Sequence, residues 1–159
     1  MVNGGRGTLV TGDAGLVTYC GIYCGNCLGY TCVIAEAADA FLDVLDKYKF
    51  YMTAKNVFPK RLSDYDRLID ILLFMTELKC NKTCRERTDE EALCAVRSCC
   101  KARGFYSCHE CGEFEHCEIL ASSLGGLHLE ACLQNLREMR EMGLEAWLRD
   151  GTKHHYWDE

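Results

Sequence analysis

Ten of the thirteen cysteines in this chain of 159 residues fall into three short clusters. Cys20, Cys24 and Cys27 stand in CGIYCGNC, Cys80 and Cys84 in CNKTC, and Cys94, Cys99, Cys108, Cys111 and Cys117 in CAVRSCCKARGFYSCHECGEFEHC. Thiolates a few residues apart converge on one soft cation, which is the spacing signature of zinc or iron–sulfur ligation. A chain with such clusters folds around its cysteines.

A disulfide framework would be the other cause of so much cysteine. The start, MVNGGRGTLVTGDAGLVTYCG, has no apolar leader, and the cysteine count is odd. The reading is therefore reduced, metal-bound thiols in the cytoplasm, with no signal peptide. The longest apolar run, ILLFM at residues 71–75, is far short of a membrane span.

The formal net charge is −6. Two four-thiolate sites would take the folded molecule to about −10. Nucleic acid is an unsuitable partner for such a surface. Residues 79–103 run against the trend, with Lys79, Lys82, Arg85, Arg87, Arg97, Lys101 and Arg103. These cations sit among the cysteines and offset thiolate charge; the rival reading is a docking patch for an acidic partner.

The expected fold is mainly α: a small helical domain with cysteine-rich, metal-stapled, zinc-knuckle-like loops and little β. Residues 1–18 read as a glycine-rich lead-in, 19–150 as one domain and 151–159 as a polar tail. A first helix is predicted from about residue 31, capped by Thr31, with Val33, Ala37, Ala40, Phe41, Val44, Leu45 and Tyr48 as its apolar stripe. Pro59 marks the connection to a second helix, capped by Ser63 or Asp64. Its wide apolar arc of Tyr65, Leu68, Ile69, Leu72, Leu73, Phe74, Met75 and Leu78 predicts a central position. GFYSCHECGEF reads as turns or short strands around a metal knuckle. A last helix is predicted from His128 to about Arg149, with Leu129, Cys132, Leu133, Leu136, Met139, Leu144, Trp147 and Leu148 inward and Gly143 as a kink or a point of close packing.

Cys108-x2-Cys111 with Cys117 beyond is the strongest zinc signal, and Cys99 is the nearest candidate for a fourth ligand, with Cys27 or Cys24 the distant ones. Cys20-x3-Cys24-x2-Cys27 is also the spacing by which radical S-adenosylmethionine enzymes hold a 4Fe-4S cluster, but no strand–helix alternation follows it. Cys80, Cys84, Cys94 and Cys99 could form one site, with Cys24, Cys27, Cys108 and Cys111 in another, so two zinc ions are expected. One of the adjacent Cys99 and Cys100 reads as spare, and Cys32 and Cys132 read as small buried hydrophobes. His109 is expected to point away from the metal, His116 is a substitute ligand for Cys117, and His154 and His155 are expected in solvent. No catalytic constellation stands out: GxSxG, GxxxxGK[ST] and HExxH are all absent.

These clusters, in this order and followed by a helix ending NLREMREMGLEAWL, resemble domain of unknown function 3795 over roughly residues 19–149. The resemblance implies metal binding without an assigned activity. It carries over Cys20, Cys24, Cys27, Cys80, Cys84, Cys94, Cys99, Cys108, Cys111 and Cys117, and not Cys32, Cys100 or Cys132. The chain departs from the family pattern at Glu91, where members often have cysteine, and at His116, where they often have proline. The leading functional reading is a structural-zinc binding or adaptor protein, its protein partner unidentified. The alternatives are an iron–sulfur protein in electron transfer or redox sensing, and a metal or sulfur carrier.

Overall fold

The computed structural model describes residues 14–88 and 93–158, apart from the side chains of 124–126. Most of the predicted lead-in lies outside these residues. The architecture is mainly helical: α1 (Val33–Lys47), α2 (Phe50–Asn56), α3 (Tyr65–Thr76), α4 (Ala95–Arg103), α5 (Glu118–Met142) and α6 (Leu144–Asp150), with single 3-10 turns at Ala14–Leu16, Cys24–Asn26, Cys108–Glu110 and Phe114–His116. The only β feature among the described residues is one antiparallel bridge between Val17 and Tyr23. No helix among them is long and apolar enough to cross a membrane. The chain divides into two compact units. Leu28–Asn81 forms one, and Met1–Cys27 with Lys82–Glu159 forms the other.

In the discontinuous unit, α5 is the spine. Cys132, Leu133, Leu136 and Met139 recur at helical spacing and are buried, as the sequence pattern requires. Val17, Tyr23, Val96, Phe114, Leu120 and Trp147 close around them. Val17 is fully buried, so the packed core begins ahead of the first cysteine. The last helix differs from expectation at both ends. It begins at Glu118, ten residues early, and Gly143 breaks it rather than kinking it. Gly143 has φ +86°, in the left-handed region that favours glycine, and α6 starts directly after it.

The tail is not solvated as predicted. Asn135, fully buried on α5, donates to the His154 carbonyl at 2.9 Å and accepts from the His154 N–H at 2.8 Å. His154 Nε2 meets Glu138 at 2.8 Å. His155 is buried and stacks on Trp157 at 4.3 Å. A buried amide side chain that pairs with backbone is what fixes this segment.

In the Leu28–Asn81 unit, α1 packs on α3 and α2. Its buried residues are few: Ala38, Leu45 and Leu72 at the centre, with Leu42, Phe50, Ile69 and Met75 around them. The predicted stripe on α1 is mostly the wrong face. Ala35, Ala38 and Leu45 are buried, while Val33, Ala37, Ala40, Phe41, Val44 and Tyr48 are exposed. Alanines let the partner helix approach closely, and the bulky residues are left outside. The cap is Cys32, not Thr31, and α2 was not foreseen. Asp64 is the cap residue of α3. Its predicted apolar arc is only partly covered: Tyr65 and Leu72 are buried, while Leu68, Leu73 and Phe74 are exposed.

Candidate metal centre

The two Cys-x2-Cys segments adopt the same local backbone. In each, a 3-10 turn is closed by an N–H of the second cysteine bonded to the carbonyl of the first, Cys27 to Cys24 and Cys111 to Cys108, both at 3.0 Å. In each, the first cysteine is buried, the second half-buried and extended in backbone. A two-residue gap allows this turn and puts both sulfurs near one end of it. Cys117 ends a third such turn and caps α5.

Long side chains from elsewhere hold these turns. Arg140 on α5 donates through Nε to the His109 carbonyl at 3.2 Å and through Nη2 to the Cys111 carbonyl, and its guanidinium lies 4.7 Å from the Phe114 ring centre. Arg137 forks onto Glu115, at 3.2 and 3.1 Å. That bond, made first by hydrogen bonding and then by charge, draws the Glu115 carboxyl below its ordinary range. Arg85, next to Cys84, lies between the rings of Tyr19 and Tyr106, 4.5 and 3.8 Å from their centres. It donates to the Val17 carbonyl at 2.6 Å and the Tyr106 carbonyl at 2.8 Å. Cys108 N–H bonds the Tyr19 carbonyl at 2.9 Å. Residues from all three cysteine clusters are thereby tied together. Arg97 is buried and donates to the carbonyls of Thr88 and Arg87. Arg85 and Arg97 are thus internal braces, not parts of a docking patch.

Two thiol couples lie inside. The Cys100 and Cys108 sulfurs are 3.6 Å apart. Cys20 is hydrogen-bonded to Cys132 of α5 and to the Thr18 hydroxyl, the latter at 3.2 Å. Gly21 permits that approach. A Cβ there would stand 2.8 Å from Leu136 Cγ and 3.1 Å from the Cys132 carbonyl, and its φ is +97°. The Cys132 hydrogen bond pulls Cys20 down to about 6; burial opposes it, and Thr18 and the Ile22 backbone add to it. Cys132 is pushed up in return, first by that bond, then by burial. Cys108 likewise lowers Cys100 and is itself raised by Cys100, by burial and by the charges of Cys20 and Cys117. Burial raises Cys84, and the charges of Cys20 and Cys94 push the same way. In each couple one sulfur is shifted toward the thiolate and its neighbour toward the thiol. Cys20 stands within electrostatic reach of Cys84, Cys100, Cys108 and Cys132. Sequence reasoning set Cys100 and Cys132 aside; the one available signal was that Cys132 lies on the α5 face against which the clusters must pack.

On the outer side, Cys99, Cys111 and Cys117 line one cleft of about 520 Å³ with His116, Arg103 and Glu113. Cys99 and Cys100 adjoin on α4 and part company there, one toward the cleft and the other into the core. Arg103 Nη1 donates to the Cys111 sulfur at 3.7 Å. His109 faces away from the cleft, sharing a 2.6 Å hydrogen bond with buried Ser107. Burial holds the His109 ring below its ordinary value.

Among the described residues, no group of three or more His, Cys, Asp and Glu side chains is gathered closely enough to hold a metal ion. The predicted quartet Cys24, Cys27, Cys108 and Cys111 is therefore not drawn together. Of the other quartet, Cys84, Cys94 and Cys99 belong to the discontinuous unit and Cys80 to Leu28–Asn81, where its N–H bonds the Gly29 carbonyl at 2.8 Å. Cys32 is half-buried rather than buried. None of the thirteen cysteines is joined in a disulfide.

No curated protein matches this chain, and no solved structure does. One family model does, that of a protein of unknown function, DUF3795, over residues 16–122. Two thirds of the chain lie in that match, including the turns at Cys24–Asn26, Cys108–Glu110 and Phe114–His116 and the Cys100–Cys108 couple, and the chain belongs to the DUF3795 family.

Proposed function

We propose that this chain is a zinc-binding protein of the reducing cytoplasm, in which metal held by thiolates orders the loops of the discontinuous unit for a binding or adaptor role. The observation that carries the reading is the cleft lined by Cys99, Cys111 and Cys117, which come from α4 and two separate turns. Three thiols with His116 beside them are a soft donor set of the kind zinc takes. Ligation requires these side chains to turn toward one another. The surrounding segment, residues 104–117, is built of turns alone, and binding energy of a structural metal acts there as folding energy. The Cys20-centred thiols are the candidate second site.

The test is elemental analysis with a visible spectrum on protein purified without oxygen. Stoichiometric zinc in a colourless solution is the expected result, and Cys111→Ser or Cys117→Ser should each lower the zinc content. Protein that retains no metal overturns the reading. Iron with matching sulfide and broad visible absorption replaces it with an iron–sulfur centre. The cleft's three thiols and open volume also suit a metal carrier. Fast loss of the bound metal to a chelator would favour that role over a structural one.

A further inference from the structure

Thirteen of the eighteen exposed large hydrophobic side chains among the described residues lie in Leu28–Asn81, which is the smaller unit. Within it, Leu42 and Leu45 of α1, Tyr51 of α2, and Tyr65, Ile69 and Leu73 of α3 line a groove of about 470 Å³. The spacing is ordered. Leu42 and Leu45 are three apart on one helix, and Tyr65, Ile69 and Leu73 step by four along another, so two helical ridges flank an apolar floor.

The rim has one sign. Asp43 and Asp46 stand beside the α1 ridge and Asp66 beside the α3 ridge, all three exposed. No lysine or arginine lines the groove. An apolar floor between acidic edges suits a helix with an apolar row and cations on both flanks, the helix-in-groove mode of recognition. An anionic membrane or an acidic segment would be repelled by the same rim.

We propose that this groove is a docking site for a basic amphipathic helix of a protein partner. The site lies wholly within Leu28–Asn81 and does not depend on the metal reading.

The test uses the full chain and a fluorescein-labelled Leu/Lys peptide with leucine at i, i+3, i+4 and i+7, read by fluorescence anisotropy. A scrambled peptide of the same composition and a Leu/Glu peptide of the same pattern are the controls. The Leu/Lys peptide should bind, more tightly at low salt, and should slow amide exchange within Val33–Lys47 and Tyr65–Thr76. D43N/D46N/D66N should weaken it about tenfold. Leu73→Ser should weaken it separately. Every changed position is exposed, and circular dichroism checks that both variants fold. Absence of binding, equal binding of the scramble, or indifference to the triple variant overturns the proposal. So does self-association of the chain that Leu73→Ser abolishes, since the groove would then hold a second copy.

Discussion

The two units use their apolar residues in opposite ways. In the discontinuous unit, Trp147 is fully buried, meets Tyr23 edge-on at 6.0 Å between ring centres, and donates to Glu138 at 3.2 Å. Arginines brace its loops from outside and within. In Leu28–Asn81, the buried centre is only Ala38, Leu45 and Leu72, while Phe41, Tyr48 and Phe74 face out. The first unit spends its large side chains on holding itself together; the second keeps them at the surface, where a partner can use them.

The sharpest way to break this comparison is a pair of truncations. Trp147→Ala should destabilise the discontinuous unit by about 3–5 kcal/mol, because it opens a cavity among the α5 residues. Leu72→Ala should cost the other unit about 2–3 kcal/mol, near the low end for a buried leucine, since so few residues surround it. Native-state amide exchange reads each unit separately. Equal losses in both units for either variant would dissolve the distinction.

A second effect belongs to the discontinuous unit alone. Burial holds His155 below its ordinary value of 6.5; Asp158 opposes this, and His128 and His154 reinforce it. The unfolded chain therefore binds the proton more readily than the folded one. The stability contributed by neutral His155 is full above that value and falls as pH drops below it. Urea midpoints at pH 7.5 and 5.5 should differ less in His155→Gln than in the unchanged protein. An identical acid loss in the variant would assign the effect elsewhere, His109 being the other ring lowered by burial.

The smallest effect sharpens the other side. Phe74 is 60% exposed. Phe74→Ser should change stability by no more than about 0.5 kcal/mol, as surface replacements do. A larger loss in a urea titration would show that this side chain is covered in solution.

These contrasts also explain what the sequence conveyed. The α5 face was legible because Cys132, Leu133, Leu136 and Met139 follow one helical stripe with charged residues opposite. On α1 the same logic chose bulk over fit, since Phe41 and Val44 outweigh Ala35 and Ala38 on any hydrophobicity scale. Packing selects by closeness of approach, which no stripe records. The cysteines split in the same manner. The local turn at Cys108–Cys111 was one of the two readings of GFYSCHECGEF, and Cys24–Cys27 shares its spacing and its turn. Which sulfurs meet depends on contacts between distant segments, such as Gly21 against α5 and Arg85 between two tyrosines. The tail was misplaced for a similar reason: nothing in GTKHHYWDE announces that Asn135 waits for it.

The division of the chain has a consequence for its biosynthesis. Leu28–Asn81 is one continuous stretch inserted between the two pieces of the other unit. A ribosome delivers Cys20, Cys24 and Cys27 first, and the whole insert follows before Arg85, Cys108 and the α5 spine emerge. The insert is free to form early, as domains do during synthesis. The leading cysteines have no such option. The segments they pack against do not exist until the insert has passed and α5 has emerged, so of the three cysteine clusters the first waits longest for its partners.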